Sequence, residues 1–435
     1  MGSRNIDVRP GAVALIVLAL SVAAACSDST TSPPVIDPGP STAVDVPFCA
    51  GLEPNWVAFQ DGDGAWTQAQ PIVTGQRVSF HHEFAANRGA VATARVFAHG
   101  LTALSIQYGA PAELAIVGDT VPVHCGPELS KTLLGSVAGL GDNELATINA
   151  SFNARDNVAP PSTDFQLSNL PAGPQDILAT RTTRVPGSDV VTRVIFRRNL
   201  DLPDGATLPV IDFNSTEAFA PVLASVTVGG MGPEGASVNT LLRTPNSQAI
   251  WSIGTRATNA PATRAYLGIP ENKLQSADLQ ILIAQANPTT AAEIRSASVY
   301  FRSPGDRTIT LGAPVTAPTL STVATAPALR LRARFGPQAE YDRQTAVSFQ
   351  QGDNTIVAVA MTATYASLAG AGYDLVVPDL SAATGFDPAW ALRPGVSVFY
   401  IVNRTGGTLG LGQNAVPTDG STTRTGIVFG EFQPQ

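Results

Sequence analysis

The chain predicts a mainly β protein: two or three antiparallel β-sandwich modules in series, behind an apolar leader and a flexible linker. Three observations carry that expectation. Short alternating or apolar runs recur at roughly eight- to twelve-residue spacing with turn residues between them, the rhythm of sandwiches and small barrels. The 435 residues include 39 glycines and 34 prolines, the punctuation that many tight turns require. Only 14 % of residues are charged, too few to give long helices their wet faces.

The leader comes first. Residues 11–26 read Gly-Ala-Val-Ala-Leu-Ile-Val-Leu-Ala-Leu-Ser-Val-Ala-Ala-Ala-Cys, with Arg4 and Arg9 ahead of them. A basic start, a short apolar core and small residues before a cut form the layout of a secretory signal peptide, here residues 1–25. The run falls short of the ~20 apolar residues that a spanning helix needs. Its end, Ala23-Ala24-Ala25-Cys26, resembles the lipobox of bacterial lipoproteins. That resemblance implies a diacylglyceryl group on the Cys26 thiol, cleavage just before it and acylation of the new amino terminus. Ser27 in the next position permits sorting to the outer membrane by the same likeness. The three alanines also suit an ordinary signal peptidase, which would leave a secreted protein.

Residues 26–44 are rich in serine, threonine and proline and read as a flexible tether. The chain has three cysteines. With Cys26 lipidated, Cys49 and Cys125 are left to pair in an oxidising compartment; two free thiols are the alternative.

A first module is expected over residues 45–127, tied end to end by that disulfide. Its strands are expected at 56–59, 78–84, 90–97, 101–108, 112–117 and 121–125. Within 78–84, Val78, Phe80, His82 and Phe84 alternate onto one face. A second module is expected over 128–230, with strands at 133–138, 145–152, 165–167, 176–180, 190–197 and 222–228. Gly135-x-Val137 followed by Phe165-Gln-Leu167 and Leu170-Pro171-Ala-Gly173 resembles the transthyretin-like sandwich of carboxypeptidase regulatory-like domains. The likeness covers residues ~133–180 and implies a non-catalytic spacer or binding module. A larger β-sandwich region is expected over 231–435. There 328–335 alternates cleanly, with Arg330, Arg332 and Arg334 on one face. Helix is expected only as a turn or two near 270–274 and 289–295.

Net charge is −8 and the chain holds two lysines, Lys131 and Lys273, a poor endowment for gripping phosphate backbones, so nucleic acid is excluded as a partner. All four histidines fall in the first module. His81 and Glu83 share a strand face two residues apart, and a cross-strand His99 would complete a two-histidine, one-carboxylate metal set; strand histidines with no ligand role are the competing reading. Gln60-Asp-Gly-Asp-Gly64 opens like a calcium loop but lacks its later ligands, so a turn is expected. No Gly-x-Ser-x-Gly elbow is present, no glycosidase carboxylate pair is definable, and no catalytic residue or cofactor is assigned. The arginine row reads as a solvated face or, more sharply, as an anion or polysaccharide contact. Trp56, Trp66, Trp251 and Trp390 are divided between core packing and stacking on sugars.

The expectation for function is therefore a cell-envelope lipoprotein facing the periplasm or the exterior. Its partners would be the membrane, through the lipid, and a protein or polysaccharide ligand at the cell surface. Its role would be non-catalytic binding, adhesion or structure. The alternative is a metal-assisted or carbohydrate-active hydrolase built on His81, Glu83 and His99.

Overall fold

A computed structural model of the chain describes residues 43–114 and 131–435, apart from 151–153, 172, 186–187, 233, 256–262, 287–292, 353, 371 and 412–415. The described chain is mainly β, with sheets packed face to face. Its first part holds β1 (Ala43–Cys49), β2 (Trp56–Asp61), β3 (Trp66–Gln68), β4 (Pro71–Thr74), β5 (Arg77–Glu83), β6 (Gly89–Val96) and β7 (Thr102–Gly109). A single helical turn, α1 (Pro111–Leu114), follows where a strand was expected at 112–117. Pro111 suits the first turn of a helix because it has no N–H to leave unpaired.

The second part holds β8 (Lys131–Ala138), β9 (Glu144–Asn149), β10 (Arg155–Val158), β11 (Asp164–Leu170), β12 (Gln175–Val185), β13 (Ser188–Leu200) and β14 (Ile211–Asp212). Two sheets form, in the orders β10-β9-β12-β13 and β11-β8-β14. Between them lies a core that includes Leu133, Val137, Ile148, Phe165, Leu167, Ile177, Ile195 and Phe213. Phe165 pairs with Gly135 across β11 and β8, and a Cβ on Gly135 would collide with the Phe165 ring. The glycine is there because the ring lies over its backbone.

The remainder holds β15 (Val222–Gly229), β16 (Ala236–Thr244), β17 (Ser247–Thr255), β18 (Thr263–Gly268), β19 (Leu279–Ala286), β20 (Glu293–Phe301) and β21 (Arg307–Thr310). It continues with β22 (Thr319–Ala324), β23 (Arg330–Arg334), β24 (Gln344–Gln351), β25 (Thr355–Thr362), the helix α2 (Ala363–Ala369), β26 (Asp374–Val376), β27 (Val398–Gly406) and β28 (Thr422–Phe432). The short helix has a clear local cause. Thr362 caps it by accepting the Tyr365 amide at 3.2 Å, and Gly370, at φ +67°, ends it. The helical turn expected at 289–295 is not found in its described part. Glu293, Ile294 and Arg295 open β20, because buried Arg295 is held by the carbonyls of Gly230 and Gly312 and by Glu234.

One twelve-stranded sheet spans the molecule in the order β17-β16-β19-β20-β28-β27-β24-β25-β7-β6-β2-β3. It crosses the expected boundaries between modules. The junction is β7, which lies parallel to β25 from Thr102↔Thr355 to Tyr108↔Met361. Three small sheets cover this large one. β22-β23-β26 and β15-β18-β21 each bury an apolar face against it, and β1-β5-β4 covers the opposite face of β2 and β6. Strand β2 is consequently buried on both sides, Trp56 and Ala58 toward one core, Val57 and Phe59 toward the other. That explains why residues 56–59 read as a continuous apolar run and not as an alternation.

Candidate binding cleft

An open cleft of about 440 Å³ lies at the β3 edge of the large sheet, lined by Gln60, Gly64, Ala65, Trp66, Tyr108, Arg330, Val376, Pro378, Asp379, Ala382 and Ala383. One wall comes from the first part of the chain and the other from the last. The first wall is the β2–β3 hairpin. Gln60 pairs with Trp66 across it, and the Gln60 side-chain amide donates to the Gly64 carbonyl at 2.8 Å. The acidic turn at 61–64 is closed by the Gly64 amide donating to the Asp61 carbonyl at 2.9 Å.

The carboxylates of that turn are committed to structure. Asp61 accepts the Ala85 and Ala86 amides at 2.8 and 2.9 Å, and Asp63 pairs with Arg88. Burial opposes the Asp61 charge, but those two amides and His82 nevertheless bring its carboxyl below the ordinary range. The turn expected from Asp-Gly-Asp-Gly is what forms.

The second wall is the segment after β26. Asp379 makes an Asx turn, accepting the Ser381 hydroxyl at 2.6 Å and its amide at 3.0 Å. Those two hydrogen bonds, with Arg330 nearby, hold its carboxyl below the ordinary range. Further on, the Trp56 indole N–H donates to the Thr384 carbonyl at 2.9 Å. The Trp56 ring meets Phe386 edge-on at 5.5 Å and lies 6.1 Å from Trp390. Trp56 thus ties the second wall to the strand that carries the first.

Trp66 and Tyr108 give the cleft its aromatic surface. Tyr108 continues the phase of Leu104 and Ile106 to the end of β7, where the core runs out. Its ring is 5.2 Å from Tyr365, and burial pushes its phenol well up, so it is neutral across the physiological range. Arg330 completes the site. Its Nε donates to the Val377 carbonyl at 3.0 Å, and Nη1 is 3.7 Å from Asp379.

The arginine row divides. Arg332 grips Asp374 through Nε at 2.6 Å and Nη2 at 2.5 Å, and Arg334 adds a 3.3 Å contact to the same carboxylate. Arg330 alone turns to the cleft. The tryptophans divide too: Trp56 and Trp390 are buried in the core, Trp66 lines the cleft, and the side chain of Trp251 lies outside the described residues.

The expected metal set does not assemble. His81 and Glu83 do share a face of β5, with Nε2 and Oε1 3.8 Å apart. His81 spends its Nδ1 on Asp45, 2.8 Å away across β1. His99 sits in the 3₁₀ turn between β6 and β7, strands that belong to a different sheet from β5. Among the described residues, no group of three or more His, Cys, Asp and Glu is placed to hold a metal ion. His82 stacks on Phe59 at 4.9 Å, and its burial lowers its affinity for a proton. Cys49 ends β1 and is 5 % exposed; Cys26, Cys125 and His124 lie outside the described residues.

No protein-family model matches this chain, and no curated protein matches it in sequence.

Proposed function

We propose that this is a lipid-anchored protein of the cell envelope that binds a glycan, without cleaving it, in the cleft between Trp66 and Asp379. One observation carries the binding reading: two aromatic side chains, an arginine, an amide and a carboxylate converge on one open cleft. A sugar ring has an apolar C–H face that packs on an aromatic ring and hydroxyls that bond to amide and charged groups. Most glycoside hydrolysis uses two carboxyl groups flanking the scissile bond. The cleft lining supplies one, Asp379, and Ser381 already engages it.

The envelope reading rests on residues 1–26 and on the cysteines. We infer that Cys49, buried at the end of β1, is bonded to Cys125, a pairing that suits an oxidising compartment. The second module serves as a transthyretin-like spacer, a reading supported by its two small sheets and by the Gly135–Phe165 contact.

Calorimetric titration of the intact protein with a panel of oligosaccharides tests the cleft. Binding of at least one, weakened about tenfold or more in Trp66→Ala, is the expected result, since losing a large aromatic packing surface costs on the order of a kcal/mol or more. Indifference of every bound sugar to that substitution, or release of new reducing ends, overturns the reading. Mass spectrometry of the mature amino terminus tests the anchor, and an unmodified Cys26 removes it.

A further inference from the structure

We propose that the ligand of this cleft is an acidic glycan, and that Arg330 reads a uronic acid carboxylate on it. The inference rests on the glycan reading above and narrows it.

Three arginines stand on the same face of β23, and their fates differ. Arg332 and Arg334 both contact the Asp374 carboxylate. Arg330 has its Nε fixed by the Val377 carbonyl, which locks the plane of the guanidinium. The nearest carboxylate, Asp379, is 3.7 Å from Nη1, too far for a hydrogen bond. Asp379 is instead drawn to the hydroxyl and amide of Ser381. The Nη edge of Arg330 thus keeps its donors and faces a cleft that it lines together with Trp66 and Tyr108.

A guanidinium edge of this kind presents two parallel N–H groups, which match the two oxygens of a planar carboxylate. The lining's one cation, Arg330, has only Asp379 near it, and Asp379 is engaged by Ser381. The selection of a planar carboxylate therefore rests on the free Nη donors and not on the net charge of the site. The aromatic side chains place that group on a ring with an apolar face. A carboxylate in place of the C6 hydroxymethyl group of a pyranose is a uronic acid, the acidic sugar we assign here.

Calorimetry with a galacturonic acid tetramer and its fully methyl-esterified counterpart separates charge from shape, because the two differ only at the carboxyl. The acid is expected to bind about tenfold more tightly than the ester at low salt, the worth of a charge-assisted bidentate contact. Raising the ionic strength narrows that ratio. Arg330→Gln is expected to bring the ratio close to one, and Arg330→Lys to restore part of it; thermal unfolding of both variants confirms that they fold.

Equal binding of acid and ester by the native protein overturns the inference, as does an unchanged ratio in Arg330→Gln. Binding of neutral oligosaccharides alone overturns it while leaving the glycan reading in place. Binding of no saccharide overturns both.

Discussion

The first and second parts of the chain have similar numbers of short strands and similar turn chemistry, yet they are stabilised in different ways. The second part closes on itself. Its buried core runs from Leu133 to Phe213 and draws on nothing outside, and it meets the rest of the molecule through a small contact that includes Leu178, Val194, Leu242 and Ile269. The Arg198–Asp278 pair, with its carboxylate fully buried, and hydrogen bonds from Asn246 to Asp176 and Asn199 strengthen that contact. The first part has no such independence. Trp56, Ala58, Ala92, Ala94, Leu104 and Ile106 share one core with Leu331, Val347, Phe349, Val357 and Val402, all from the last third of the chain. A module in the sequence and a cooperative body in the structure are therefore different units here. The cleft lies at the seam of the larger one, because its two walls come from the two ends of the described chain.

The sharpest way to break that comparison is to remove one large side chain from each core. Trp56 is 2 % exposed and Phe165 is 4 % exposed, so replacing either by alanine is expected to cost about 3–5 kcal/mol. The consequences differ in place. Trp56→Ala should lower the unfolding transition shared by the first and last parts, release the 384–390 segment and weaken ligand binding. Phe165→Ala should lower only the transition of residues 131–213. Calorimetry resolving two transitions checks this. A uniform shift of both by either variant would dissolve the distinction.

A smaller effect sharpens it. Asp374 holds β26 to β23, and its hydrogen bonds to Arg332, against the cost of burial, put its carboxyl below the ordinary range. In the unfolded chain an aspartate titrates near ~3.9. The stabilisation is therefore complete above that pH and is lost as the pH falls through the lower folded value. Asp374→Asn should cost roughly 1 kcal/mol at pH 7, the modest worth of a partly exposed pair. The gap from the native protein should close below about pH 4, and the second part should show no such gap. Melting curves of both proteins across pH 2.5–7 measure it. A gap that persists undiminished in acid would assign the effect to packing and not to charge.

Much of the strand pattern was legible. Alternation placed β5 and β23, and an apolar run placed β2. Short or polar strands such as β4 and β10 gave no alternation to read. Strand β1 does alternate, with Val44, Val46 and Phe48 buried, and was missed because the linker was expected to run through residue 44. The pairing of β7 with β25 was invisible for a different reason: its partners are some 250 residues apart, and parallel pairing leaves no turn signature between them. Burial of Arg295 overrode the local helical signal at 293–295.

The cleft was half legible. Trp66 and Arg330 each carried a binding reading alongside a plainer one, but nothing in the sequence joins positions 264 residues apart. Tyr108 was read as part of a strand, and its one distinguishing mark is that it extends the core phase one residue pair beyond the core. Asp379 was recognisable only as the Asp-x-Ser of a turn. The metal expectation failed because it took β5 and β6, consecutive in sequence, to be neighbours in one sheet.

Native-state hydrogen exchange across the β7–β25 seam tests the account most directly. If the first and last parts form one cooperative body, the amides of Leu104 and Ile106 will open with the same free energy as those of Val357 and Val359, and Trp56→Ala will lower all four together. Exchange of β7 at markedly lower free energy than β25, in step with β6 alone, would contradict it.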